Sequence, residues 1–141
     1  MTPDVATPDA LADHRLASLP SRPTDRPSLL VVDDADDTRA VLAYMLTSAG
    51  LAVLEAPDGA TALHLARTAP ISAVVLDIIL PDRTGYDVCR ELRETVDRTI
   101  PIVLVTALSS IMENGSWVLA GADAYLVKPV RRAALIAHVV R

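Results

Sequence analysis

Phenylalanine is absent, and one tryptophan and three tyrosines are the only aromatic residues. A core built around large rings is excluded, so any packed interior has to come from Val, Leu, Ile and Ala. Those are plentiful, because apolar residues fill 51% of the 141 positions, enough for one domain with a core. A single cysteine, Cys89, rules out a disulfide within the chain and a zinc site of several thiolates. The net charge of −5 lacks the basic excess of a protein that grips nucleic-acid phosphates. No apolar run approaches the roughly 18 residues that a membrane-spanning helix needs. The N-terminus lacks the charged-then-apolar layout of a secretory signal. The expectation is a soluble cytoplasmic protein that touches neither a membrane nor nucleic acid directly.

What is present divides the chain in two. Residues 1–28 hold five of the ten prolines, a pattern that disfavours helix at each preceding residue and reads as a linker. Within it, Thr7 and Pro8 offer a helix start, and Leu11, Leu16 and Leu19 would share one side of a short helix. From Leu29 onwards, short apolar runs alternate with helical spacing. Strands are expected at Leu29–Val32, Ala52–Ala56, Ala73–Leu76, Ile102–Val105 and Ala124–Val127. Helices are expected at Thr38–Ala49, Gly59–Arg67, Tyr86–Val96, Ser110–Ala120 and Val130–Arg141. The fourth helix is weak, because Gly115 lies inside it. Strict alternation of this kind implies an α/β fold with a doubly wound parallel sheet and helices on both faces.

In open α/β sheets, ligand sites form outside the carboxyl ends of the strands. That rule selects Asp33 and Asp34 after strand one, Asp77 after strand three, Thr106 after strand four and Lys128 after strand five. Three carboxylates brought together raise one another's pKa, and a hard divalent cation such as Mg²⁺ relieves the repulsion. A carboxylate can also act as a nucleophile and form an aspartyl phosphate. Phosphoryl transfer then needs positive charge and hydrogen-bond donors, which Lys128 and Thr106 supply.

Four motifs carry a resemblance: LLVVDD at 29–34, VVLDIILPDRTGYDV at 74–88, PIVLVTA at 101–107 and GADAYLVKP at 121–129. Together they resemble the receiver domains of two-component response regulators over residues 29–141. The resemblance implies a flavodoxin-like sheet in the order 2-1-3-4-5. It makes Asp77 the phosphoacceptor, and Asp33, Asp34, Asp77 and the backbone carbonyl of Ile79 the Mg²⁺ ligands. Thr106 and Lys128 would bind the phosphoryl group, Thr106 and Tyr125 would form the switch, and Pro129 would follow a cis peptide. The implied partners are a sensor histidine kinase or a histidine phosphotransfer protein, and an unidentified downstream protein, with a homodimer as one allowed form. The domain is expected to catalyse only its own phosphotransfer and dephosphorylation.

Some positions depart from the family's pattern. Thr84 stands where an acidic residue or Asn is common, yet it can still cap the next helix. Ile79 and Leu108 are apolar where the family often places a polar residue that holds the attacking water, so slow self-dephosphorylation is expected. Asp36, Asp37 and Asp82 read as solvated, the three histidines as surface or packing residues, and Cys89 as a buried helix residue. Because the chain stops at Arg141, a stand-alone receiver is expected. The alternatives are a phosphorelay intermediate and an interaction module that is never phosphorylated.

Overall fold

The structure, a computed structural model, describes residues 27–97, 99–107 and 116–140. The unbroken apolar runs form β1 (Ser28–Val32), β3 (Ile71–Asp77) and β4 (Ile102–Thr106). Almost every side chain of these three strands is buried, as a strand covered on both faces requires. The shorter β2 (Val53–Ala56) and β5 (Ala124–Val127) are only partly covered. All pair in parallel, in the order β2-β1-β3-β4-β5, so the partly covered strands are the edges.

Among the described residues, five helices fill the connections: α1 (Asp36–Thr47), α2 (Gly59–Thr68), α3 (Gly85–Thr95), α4 (Ser116–Leu119) and α5 (Arg132–Val139). The strand period of two sorts the core onto two faces. Leu29, Val31, Val75 and Val103 meet Leu42 and Leu46 of α1 and Leu135 of α5. Their neighbours Leu30, Leu76, Ile102 and Leu104 meet Leu63 of α2 and Val88 and Leu92 of α3. The result is the doubly wound, flavodoxin-like architecture that the alternating pattern and the motifs lead one to expect. Among the described residues, no helix is long and apolar enough to cross a membrane.

Several boundaries differ from expectation. α1 starts at Asp36, two residues before Thr38, because Asp36 and Asp37 in the first turn are favoured by the helix dipole. It stops where Gly50 takes a left-handed φ of 88°, and the Leu51 N–H closes back onto Leu46 O at 3.2 Å. The fourth helix is described only over Ser116–Leu119; residues 108–115, including Leu108, and the segment 1–26 lie outside the described residues. α5 begins at Arg132 rather than Val130, since Arg131 keeps an extended backbone (φ −86°, ψ 138°). Arg141 is likewise outside the described residues.

Candidate phosphoacceptor site

The sheet register brings the polar residues together. Val32 pairs with Leu76, so the next residues along, Asp33 and Asp77, emerge side by side at the carboxyl edge. Thr106 pairs with Val127, and the Lys128 N–H donates to Thr106 O at 2.8 Å. Asp33, Asp77 and Thr106 are buried, whereas Asp34 is exposed, so the cluster opens to solvent on one side. One carboxylate oxygen each from Asp33, Asp34 and Asp77 lies within 4.8 Å of the others.

Hydrogen bonds hold these carboxylates in place. Asp33 Oδ1 accepts from the Ala35 N–H at 2.9 Å, and its Oδ2 accepts from Lys128 Nζ at 2.8 Å. Asp77 Oδ2 accepts from the same Nζ at 3.1 Å, and its Oδ1 accepts from the Ile79 N–H at 3.3 Å. Burial pushes the pKa of Asp77 up; the Lys128 hydrogen bond opposes that rise and the nearby charge of Asp33 adds to it. Burial also works against the charge on Lys128, but its bonds to Asp33 and Asp77 prevail and hold its pKa above the ordinary value. The ammonium therefore stays charged, and it is one cation set among three acidic side chains. A set of hard oxygen donors converging on one point, three acidic groups to one ammonium, fits a divalent cation such as Mg²⁺.

The loop between β3 and α3 closes tightly beside this cluster. Ile79 forms an isolated bridge with Thr84, and the Gly85 N–H donates to Ile78 O at 2.6 Å. A side chain at Gly85 would collide with the backbone oxygen of Asp77 and, at 2.8 Å, with Ile78 Cα. Thr84 caps α3, accepting from the Asp87 N–H at 3.2 Å. Ile79 itself is 55% exposed at the lip of the site. The Lys128–Pro129 peptide is cis. On β5, Tyr125 is 39% exposed, and its ring lies tilted on Trp117 with centroids 5.3 Å apart.

Two residues near the site were not legible from sequence. Arg39 bonds Asp33 O at 2.7 Å, Asp36 at 2.7 Å and Glu55 at 3.1 Å, tying the loop after β1 to α1 and β2. Asp82 is exposed, as read from sequence, but it also accepts from the Gly59 and Ala60 N–H groups, both at 2.9 Å. The Gly59 bond, which counts most, holds its pKa below the ordinary carboxylate range. Its partners lie 23 and 22 residues back, so only the folded chain reveals them. Other expectations concern bystanders. Cys89 is fully buried, its thiol pushed up to about 11 by burial and so unreactive. His64 and His138 are exposed, and His14 lies outside the described residues.

Comparison with known proteins gives the family and the fold. The family described as response regulator receiver domain matches residues 29–140. The transcriptional regulatory protein CusR of Escherichia coli (strain K12) is 42% identical over 111 residues, which are 79% of this chain and 48% of CusR. The chain thus spans about half the length of that relative. Among solved structures, the chemotaxis protein CheY4 of Vibrio cholerae superposes with a TM-score of 0.73 at 28% identity, covering 79% of this chain and 93% of that one. The Francisella response regulator 1452 receiver domain gives 0.73 at 29% identity, covering 81% and 93%.

Proposed function

The chain belongs to the response regulator receiver domain family, and from that premise we propose that it accepts a phosphoryl group from a sensor histidine kinase on Asp77 and thereby switches a protein-interaction surface. The observation that carries this reading is the single Lys128 ammonium joining Asp33 and Asp77 at the carboxyl edge of the sheet. In the transfer, an Asp77 carboxylate oxygen forms a bond to phosphorus as the bond from phosphorus to the donor's imidazole nitrogen breaks. The electron pair leaves with the imidazole, which is neutral as it departs from a protonated phosphohistidine. Asp33, Asp34, Asp77 and the carbonyl of Ile79 would hold Mg²⁺, which when bound offsets charge on the phosphoryl oxygens. Lys128 keeps its charge and moves from the carboxylate towards the phosphoryl oxygens that replace it. Thr106, buried at the end of β4, offers its hydroxyl to one of those oxygens. Tyr125, half-exposed on the neighbouring strand, turns inward as Thr106 is drawn over, which changes the surface formed by β5 and α4.

The expected slow hydrolysis rests on Ile79, an apolar side chain at the lip that offers the attacking water no hydrogen bond. A long-lived phosphoryl group suits a switch and is equally compatible with relay to a histidine phosphotransfer protein. The domain is read as cytoplasmic and as acting through protein partners. CusR is a transcriptional regulator, so control of transcription is one downstream output that this reading admits.

The test is incubation with Mg²⁺ and labelled acetyl phosphate, followed by chase after the donor is removed. The reading predicts a label released by hydroxylamine, as an acyl phosphate is, and persisting well beyond a minute. A label that resists hydroxylamine contradicts an aspartyl phosphate, and loss within seconds contradicts the slow hydrolysis.

A further inference from the structure

We infer that Asp82 is a positioning residue for the site: by tying the tip of the loop after β3 to the start of α2, it sets the backbone carbonyl of Ile79 where a metal ion can use it. The inference rests on the receiver reading above. The loop runs from Ile78 to Thr84, and its base is fixed by the Ile79–Thr84 bridge, by the Gly85 N–H on Ile78 O, and by the close seat of Gly85 on the Asp77–Ile78 backbone. Its tip, Pro81 and Asp82, projects towards solvent. What fastens the tip is the Asp82 carboxylate, with one oxygen on the Gly59 N–H and the other on the Ala60 N–H.

Those two donors belong to the first turn of α2, where N–H groups lack partners within the helix. The helix's own cap does not compete for them. Asp58 accepts from the Thr61 N–H at 2.7 Å, so the two carboxylates divide the exposed donors between them. The neighbouring Arg83 adds weaker ties, 3.6 Å to Asp82 and 3.5 Å to Glu91 of α3. α2 is itself packed on β1, β2 and α3, so the tip is fastened to a firm element.

Ile79 belongs to the base, bridged to Thr84, and only Leu80 and Pro81 separate it from the fastened Asp82. Asp82 is outside the carboxylate cluster of Asp33, Asp34 and Asp77, so it acts through the loop and not as a ligand. Groups that orient a metal's ligands without touching the metal contribute strongly to its affinity. Without the tie, the tip next to Ile79 would have to be ordered when the ion binds.

The experiment is calorimetric titration of the full chain with Mg²⁺ alone, on wild type, Asp82→Ala, Asp82→Asn and Asp58→Ala, with thermal melts to show that each is folded. Asp82→Ala is expected to weaken Mg²⁺ binding by about tenfold, within the range seen for outer-shell partners. Asp82→Asn keeps one acceptor oxygen and falls between, and it remains informative if the alanine variant does not fold. Asp58→Ala loosens the same helix without touching the loop, so it keeps wild-type affinity. Wild-type affinity in both Asp82 variants overturns the inference alone, and so does an equal loss in Asp58→Ala, which would trace the effect to α2 in general. Wild type that binds no Mg²⁺ overturns the receiver reading and this inference with it.

Discussion

At Lys128, one ammonium serves two carboxylates, 2.8 Å from Asp33 and 3.1 Å from Asp77. It is the cation that pairs with these two carboxylates, and phosphoryl transfer gathers negative charge there. Lys128→Ala should therefore slow phosphorylation by acetyl phosphate by roughly 100-fold, the usual effect of removing one donor from a preorganised site. The same variant should still bind Mg²⁺, because the three carboxylates remain; a parallel loss of metal binding would show that Lys128 holds the site together and does not act on the phosphoryl group. At this scale the sequence was readable where chemistry and position coincide. Asp33, Asp34, Asp77, Thr106 and Lys128 all follow or end apolar runs, so the strand-end rule collects them before any coordinates are known. Asp82 and Arg39 escaped, because a carboxylate in a polar loop and an arginine on a helix look solvated until a partner 23 or 16 residues away folds against them.

Among the elements, α2 owes its start to two carboxylates, one local and one borrowed. Asp82→Ala should lower stability at neutral pH by about 1 kcal/mol, the ordinary loss for an acceptor at a helix N-terminus. The effect has a definite pH sense. The native pKa of Asp82 is depressed, so its contribution is fully present above the ordinary carboxylate range. That contribution is lost as pH falls through the depressed native value. Urea unfolding of wild type and variant should thus show a gap at pH 7 that closes at low pH; a gap of constant size would mean that the lost contacts do not depend on the charge of Asp82. Element boundaries were the least legible feature. Asp36 and Asp37 look like loop residues in sequence, yet the helix dipole draws them into the first turn of α1. Gly50, by contrast, announced the end of that helix, because a left-handed φ is available to glycine without strain.

Across the whole molecule, the three central strands carry the core and deliver the site. Leu76 is fully buried one residue before Asp77 and faces α2 and α3. Leu76→Ala should cost about 3 kcal/mol in urea unfolding, through lost burial and the cavity left behind; a loss below about 1 kcal/mol would mean that the two helices close over the gap. The parallel sheet was legible as alternation, since apolar runs too short to be helices recur between amphipathic stretches. Its strand order was not contained in that pattern and came only with the resemblance of the four motifs. The central claim is that this sheet edge makes Asp77 an acceptor of phosphate. Its most direct test is the intact mass of wild type and Asp77→Asn after incubation with Mg²⁺ and acetyl phosphate. The account predicts a gain of one phosphoryl group in wild type and none in the variant. An unchanged mass in folded, Mg²⁺-loaded wild type, or the same gain in both proteins, would contradict it.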